Sequence, residues 1–341
     1  MMHDPALRLG RYSILLHRRA MIVGVAVALL ALVAALTAVQ IGRYPIDIAT
    51  ILASLSGRTD AITQMIVIDN RLPRILTALG AGAAFGMAGA MFQTMLRNPL
   101  ASPDVIGFSA GARCGALAAM IVWGESFILP GALIGALVTA LVVIALSWRY
   151  GIQPYRLILI GIGASMTLSA LADLMMSRLD VLTAAEMAQW LVGTLSARNW
   201  DDVTMVWVGL LVLTPIALWL QFALARMAMD DDIATGLGLG LSPLRLTVTV
   251  TSVMLVALAV TVAGPLPFVA FVSGPIARRL VRGARPAIFT AALIGGMVTL
   301  LADTAARAVP MVNLPAGIFT ALIGAPVLIW LLVVQIRKGN I

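Results

Sequence analysis

Charge is scarce and cysteine almost absent in this sequence. Only 11% of its 341 residues are charged, against about 25% in a soluble globular domain, which excludes that class as well as a disordered chain. The single cysteine, Cys114, excludes a disulfide scaffold and lies in an apolar run, where inert packing is the expectation. The two histidines, His3 and His17, both sit in the amino-terminal tail. Metal or nucleophilic catalysis needs clustered ligands or a base beside a nucleophile, so a membrane enzyme is the least favoured reading. No GxxxxGK[ST] phosphate loop occurs, so a nucleotide site of the P-loop kind would have to come from another subunit. The 30 glycines have no triplet period, which excludes collagen. A formal charge of +8 and a pI near 10.9 do not indicate nucleic acid, because the basic residues are spread between hydrophobic stretches and form no single face.

What is present is apolar sequence: 61% hydrophobic residues and a mean hydropathy of +1.02. A spanning helix needs about 20 mostly apolar residues. About ten stretches qualify or nearly so: 20–40, 72–96, 104–123, 127–148, 154–176, 203–225, 246–264, 266–280, 287–309 and 315–335. The sequence therefore predicts an all-α polytopic membrane protein forming one domain over 1–341. The first run follows Arg18 and Arg19 and exceeds the 7 to 15 apolar residues typical of a signal peptide, so it reads as the first span. The eighth, LPFVAFVSGPIARRL, carries Pro267 and Pro275 and predicts a broken or partly re-entrant helix, tolerated where protein covers the freed backbone groups. With the amino terminus inside, the inner segments hold fifteen of the 23 basic residues; the bias places both termini in the cytoplasm. Arg43, Arg58, Arg71, Arg74, Arg113, Arg178, Arg198 and Arg307 make up an outer excess that needs its own reason.

Three segments do not span. The outer stretch 41–71 ends in RLPR. The stretch 177–202 contains AAEMAQWLVGTL, amphipathic and too short to cross. The inner stretch 226–245 reads RMAMDDDIATGLGLGLSPLR. There Asp230, Asp231 and Asp232 precede a helical pattern, as the helix dipole favours, and glycines 236, 238 and 240 end it. The segment reads either as a solvated connection or as a docking helix for a cytoplasmic partner. Intramembrane acids mark function by default; the candidates are Asp173, near an outer helix end, and Asp303, four residues from Arg307 and so able to form a local ion pair. GxxxG-like spacings, such as Gly82 to Gly86 and Gly131 to Gly135, allow close helix packing.

Residues 71–112, RLPRILTALGAGAAFGMAGAMFQTMLRNPLASPDVIGFSAGA, carry the strongest signal. Arg71 and Arg74 flank Pro73 at a helix start, small residues follow, and Asn98, Pro99, Ser102 and Pro103 make a turn. This segment resembles the signature of the FecCD family, permease subunits of ABC importers for iron siderophores, haem and cobalamin. RLILIGIGAS, DDDIATGLGLGLS, AGPLPFVAFVSGPIARRL, LLADTAARA and LPAGIFTALIGAPVLIWLL extend the resemblance over nearly the whole chain, and NPLASPD and MDDDIATGLG are especially similar to permeases for catecholate ferric siderophores. One departure is that Gly274 and Pro275 stand where the family usually has Pro-His.

The resemblance implies a type II ABC importer permease fold in a bacterial inner membrane, moving ferric siderophore by alternating access. Its partners would be a second permease, the same chain or a related one, two ATPase subunits that hold ATP and Mg, and a substrate-binding protein; no cofactor belongs to the chain itself. It also implies site residues: Arg71, Arg74 and Arg307 receive the binding protein, and Asp230, Asp231, Asp232, Ala234, Leu237 and Gly238 form a coupling element for the ATPases. Ile160, Gly161, Gly163, Ser165 and Ser169 line the pathway, and the stretch around Glu186, Gln189 and Trp190 resembles an outer gate. Cobalamin or haem import is the alternative within the family, and a proton-coupled secondary transporter the alternative outside it.

Overall fold

The computed structural model describes residues 6–9, 12–15, 18–42, 44–149, 151–229, 231–236, 238, 240–282, 286–309 and 314–337. A hairpin of β1 (Ala6–Leu9) and β2 (Tyr12–Leu15) precedes α1 (Arg18–Gln40). After α2 (Ile48–Leu55), the short α3 (Ala61–Gln64) runs through a π-helical stretch, Met65–Arg71, into α4 (Leu72–Met95). A 3-10 turn, Pro103–Ile106, leads to α5 (Phe108–Trp123), and another, Glu125–Phe127, to α6 (Ile128–Ser147). There follow α7 (Pro154–Met176), α8 (Val181–Val192), α9 (Trp200–Met227), α10 (Asp231–Gly236) and α11 (Leu241–Ala263). The chain closes with α12 (Val269–Val281), α13 (Ile288–Ala308) and α14 (Ala316–Arg337). Each of the ten expected spans coincides with a helix, and among the described residues eight helices are long and apolar enough to cross a membrane.

Burial sorts these helices in a way hydropathy does not. The most apolar, α1 with a mean hydropathy of 2.8, has 28% of its spanning window buried; the stretch ending in α4, at 1.7, has 83%, and α13, also at 1.7, has 67%. Where lipid is as apolar as leucine, helices associate through close packing of small residues. Accordingly α4 is the central helix, packed on α13, α11, α12 and α9. A Cβ on Gly86 would lie 2.2 Å from the Ala291 carbonyl oxygen of α13. The pair α5 and α6 closes in the same manner, with a Gly115 Cβ 2.3 Å from the Gly131 oxygen. The GxxxG spacings therefore fix helix partners.

Two helices fall short of a full span for a shared reason. α5 has 16 residues and α12 has 13, about 24 and 20 Å of rise against a core about 30 Å thick. Before α5, the chain leaves the end of α4 and enters the bundle: Ile106 packs on Gly161, and Gly107, at φ +90, lies against Ser165, halfway along α7. Before α12, the chain dips from the opposite end. Gly264 lies against the Trp190 carbonyl, whereas Phe268 reaches Gly324 in the middle of α14. The expectation of a re-entrant entry to the eighth span holds, but the break falls at 264–268, with Phe268 at φ +65. α12 itself passes through Pro275 as a continuous helix, and Gly274 lets it approach Ala90 and Gln93 of α4. The simple turn expected after α4 is thus a second re-entrant segment.

Candidate functional site

The two re-entrant segments face one cavity of about 620 Å³, within the range of small-molecule sites, about 300–1,000 Å³. Ser102 and Asp104 contribute from the first segment and Pro265, Leu266, Pro267 and Phe268 from the second. Its sides are Ser109, Ala110 and Arg113 of α5, Ser165 and Ser169 of α7, Leu191 and Val192 of α8, Phe271 of α12, and Gly317, Ile318 and Ala321 of α14. Irregular backbone at membrane depth is tolerated where it is buried in protein or lines a cavity, and both conditions are met here. Of the pathway residues expected from sequence, Ser165 and Ser169 line the cavity. Gly161 instead seats Ile106; Gly163 is exposed with open space where a Cβ would be, and Ile160 is half-buried.

The outer-gate stretch is α8. Asp180 caps it, its carboxylate accepting from the Leu182 and Thr183 amides, which lowers the carboxyl pKa. Glu186 and Gln189 are exposed, while Trp190 is buried with its indole nitrogen unpartnered. The helix meets the cavity through Leu191 and Val192, and the Gly317 amide of α14 donates to the Gly193 carbonyl at 3.0 Å.

Sequence reasoning misses Arg113 and Asp104. The Asp104 carboxylate accepts hydrogen bonds from the Ser109 and Ser102 hydroxyls. Counting Arg113 with the outer basic residues overlooks that it lies inside an apolar run, which is itself a signal of function. Residues Gly107 to Gly111 also read G-x-S-x-G, the spacing of a hydrolase nucleophile elbow. That motif needs a strand-to-helix turn and a base, whereas Ser109 follows a 3-10 turn and its hydroxyl donates to Asp104; His3 and His17 lie outside the described residues.

At one end of the bundle the three arginines expected to dock a partner are turned inward. Arg71 is 7% exposed and donates to the carbonyls of Val39 and Gln40 at the carboxyl end of α1, where a cation complements the helix dipole, and to that of Tyr44 in the loop beyond. Arg74 grips both oxygens of fully buried Asp303, with Nη2 at 2.7 Å. Arg307 pairs with Asp303 at 3.1 Å and donates to the Ala38 and Ile41 carbonyls. The Asp303–Arg307 pair expected from spacing is therefore part of a larger network. Nη2 of Arg307 is buried without a hydrogen-bond partner, and its Nε meets Asp303 as an ion pair but is not aligned for a hydrogen bond. Asp173 is exposed near its helix end. Nearby, Arg198 is buried against Asp202 at 3.5 Å, and burial lowers its pKa against the opposing pull of Asp202.

At the other end, the Asp231 carboxylate ties down α10. Asp231 bonds Arg97 at the end of α4 and Arg245 of α11, the latter at 2.7 Å. Arg97 also donates to the Met227 carbonyl that ends α9, and Arg245 to the Ile152 carbonyl before α7. Burial raises the Asp231 pKa, but Arg245 and then Arg97 outweigh it and hold the carboxyl below its ordinary range. Ala234 is fully buried, while Asp232, Ile233 and Gly238 are exposed. Asp230 and Leu237, the other two expected coupling residues, lie outside the described residues.

A polytopic bundle with a central small-residue helix, two re-entrant segments and a mid-depth cavity is the transmembrane permease of an ABC importer of the type II fold. It is similar to a solved inward-facing structure described as a metal-chelate type ABC transporter, with a TM-score of 0.82 and 29% identity, covering 93% of this chain and 99% of the other. The chain belongs to the FecCD transport family, whose model matches residues 29–334. It is 36% identical over 309 residues to the ferric enterobactin transport system permease protein FepG of Escherichia coli, covering 90% of this chain and 94% of that one. It is equally similar, 36% over 316 residues, to the Fe(3+)-citrate import system permease protein YfmE of Bacillus subtilis, covering 91% and 94%. The ferric enterobactin permease FepD of E. coli is 32% identical over 319 residues, covering 91% and 95%.

Proposed function

We propose that the protein carries a ferric siderophore through a bacterial cytoplasmic membrane, as one of two permeases whose cavities meet at their shared interface. The observation that carries this reading is the 620 Å³ cavity at mid-depth, lined chiefly by apolar groups and serines. A large chelate handed over by a receptor needs a route that binds it weakly enough to release it. α7 supports the placement of the partner permease. It is the least buried of the eight spans, at 17%, yet its mean hydropathy is only 1.8; a helix that exposed to lipid alone would be expected to be as apolar as α1.

In this reading the Asp231 end is cytoplasmic with both termini, and α10 receives the push of the partner ATPases, which hold the ATP and Mg. Because Asp231 ties α10 to α4, α9 and α11, displacement of α10 moves the central helices as a body, which is how alternating access is transmitted. The outer end receives the binding protein. There Asp303 holds Arg74 and Arg307 in fixed positions beneath the face that would meet it. Coupling residues Asp230, Asp232, Ala234, Leu237 and Gly238, and the whole of 1–341 as one domain with 226–245 as its coupling loop, belong to the same proposal.

The test is radiolabelled iron uptake by a strain lacking the gene, under iron limitation, with a panel of ferric siderophores and with cobalamin and haem as controls. Loss of uptake for one siderophore class is the expected result. Loss of cobalamin or haem uptake alone would move the cargo and leave the importer standing.

A further inference from the structure

Most arginines inside this bundle have acceptors, but the one on the cavity wall, half-buried Arg113, does not. Arg71 has the end of α1, Arg74 and Arg307 have Asp303, Arg245 has Asp231, and Arg278 has the Gln93 side chain at 3.1 Å. Arg113 faces the cavity with its Nε shut off from solvent and unpartnered, and among the described residues no hydrogen bond or ion pair engages its guanidinium. Its depth excludes an interfacial anchor: Gly111, half a turn away, packs against the Gly135 carbonyl in the interior of α6. An unpaired cation at membrane depth is costly and marks function by default. Snorkelling to a headgroup is the usual relief, and a position in mid-bundle denies it.

The rest of the cavity wall explains why the charge is left open. Asp104 is the acid on the same wall, but it makes no ion pair with Arg113, and the Ser102 and Ser109 hydroxyls donate to its carboxylate. Ser165 and Ser169 of α7 add hydroxyls on the facing side. The geometry points to Arg113 as a specificity-determining residue of the pathway, the site at which an anionic iron chelate is recognised during passage. The class it favours is a tris-catecholate or hydroxycarboxylate complex with net negative charge, rather than a neutral tris-hydroxamate. A single charge-assisted contact, with no second cation on the described wall, discriminates between cargoes without trapping them. This inference rests on the reading of the protein as a ferric-chelate importer.

The experiment uses the complete permease complex with its ATPases in lipid nanodiscs, measuring radioiron binding from two probes of similar size, a trianionic ferric tris-catecholate and a neutral ferric tris-hydroxamate. The wild type is expected to prefer the anion. Arg113→Gln should weaken anion binding about tenfold or more and leave the neutral probe unchanged, while Arg113→Lys should restore the preference. Equal anion binding by wild type and Arg113→Gln overturns the inference. So does an equal loss for both probes, which would mean that Arg113 balances Asp104 or an acid of the second permease. Uptake in cells separates the two levels: if iron uptake depends on the gene but Arg113→Gln transports both chelates like the wild type, only the role of Arg113 fails; if no ferric chelate depends on the gene, the importer reading falls and takes this role with it.

Discussion

Asp303 shows how one residue can decide the state of several others. It is fully buried and holds two guanidinium groups, of which that of Arg307 in turn grips the end of α1. Removing one member of a buried pair leaves uncompensated charge, at a cost of about 3–5 kcal/mol. Asp303→Asn is therefore expected to lower the thermal midpoint of the detergent-solubilised protein sharply, whereas Arg58→Ala, at an exposed position, should leave it unchanged. Arg71→Glu belongs with Asp303→Asn: because the side chain is internal, its loss should appear as reduced assembly before any loss of docking, as size-exclusion yield would register. Asp231 acts similarly at the opposite end. Its carboxyl pKa is lowered on folding, so its stabilising contribution is complete above the ordinary carboxylate range and is lost as pH falls through the folded value. Protection of α10 against hydrogen exchange should accordingly hold at pH 5 and fail only in stronger acid, and Asp231→Asn should abolish that pH dependence. The same variant should uncouple hydrolysis from uptake if α10 is the coupling element.

At the scale of elements, helix pairs are specified by the absence of side chains. α5 and α6 meet where the Gly115 Cβ would lie 2.3 Å from a backbone oxygen, and backbone cannot step aside as a flexible side chain can. Gly115→Val should cost about 1–3 kcal/mol through overpacking and reduce the folded fraction. Gly163→Ala, with nothing within 4 Å, is the matched control on α7 and should be silent in the same thermal measurement. A silent Gly115→Val would show that the two helices can separate without penalty and would remove the packing argument. The re-entrant segments follow the same logic, since Gly107 and Gly264, both at positive φ, let the chain turn where it enters the bundle.

For the whole molecule, the least buried span is the one proposed to meet a second permease. Cysteine placed at Met166, an exposed position on α7, should cross-link between two permeases in membranes once both subunits are co-expressed. Cysteine at Leu30 of α1, also exposed, should not. Cross-linking from Leu30 in preference to Met166 would place the interface on the other side of the bundle.

The sequence by itself determined the class, the places of the apolar helices and the family. Long apolar runs leave a chain little choice but to form membrane helices, and the segment from Arg71 to Ala112 is dense in residues with few alternatives. It also singled out Ser165 and Ser169, which line the cavity, and the Asp303–Arg307 pair on one helix. Depth, partners and facing are decided by contacts between residues far apart in the chain, and only the tertiary structure decided them. Arg71 meets the end of α1 some thirty residues earlier, Arg74 meets Asp303 across 229 residues, and Arg113 stands on a cavity wall built from five helices and two re-entrant segments. Hydropathy records how apolar a segment is; which of its faces meets protein, lipid or cargo depends on where the small residues let other helices approach.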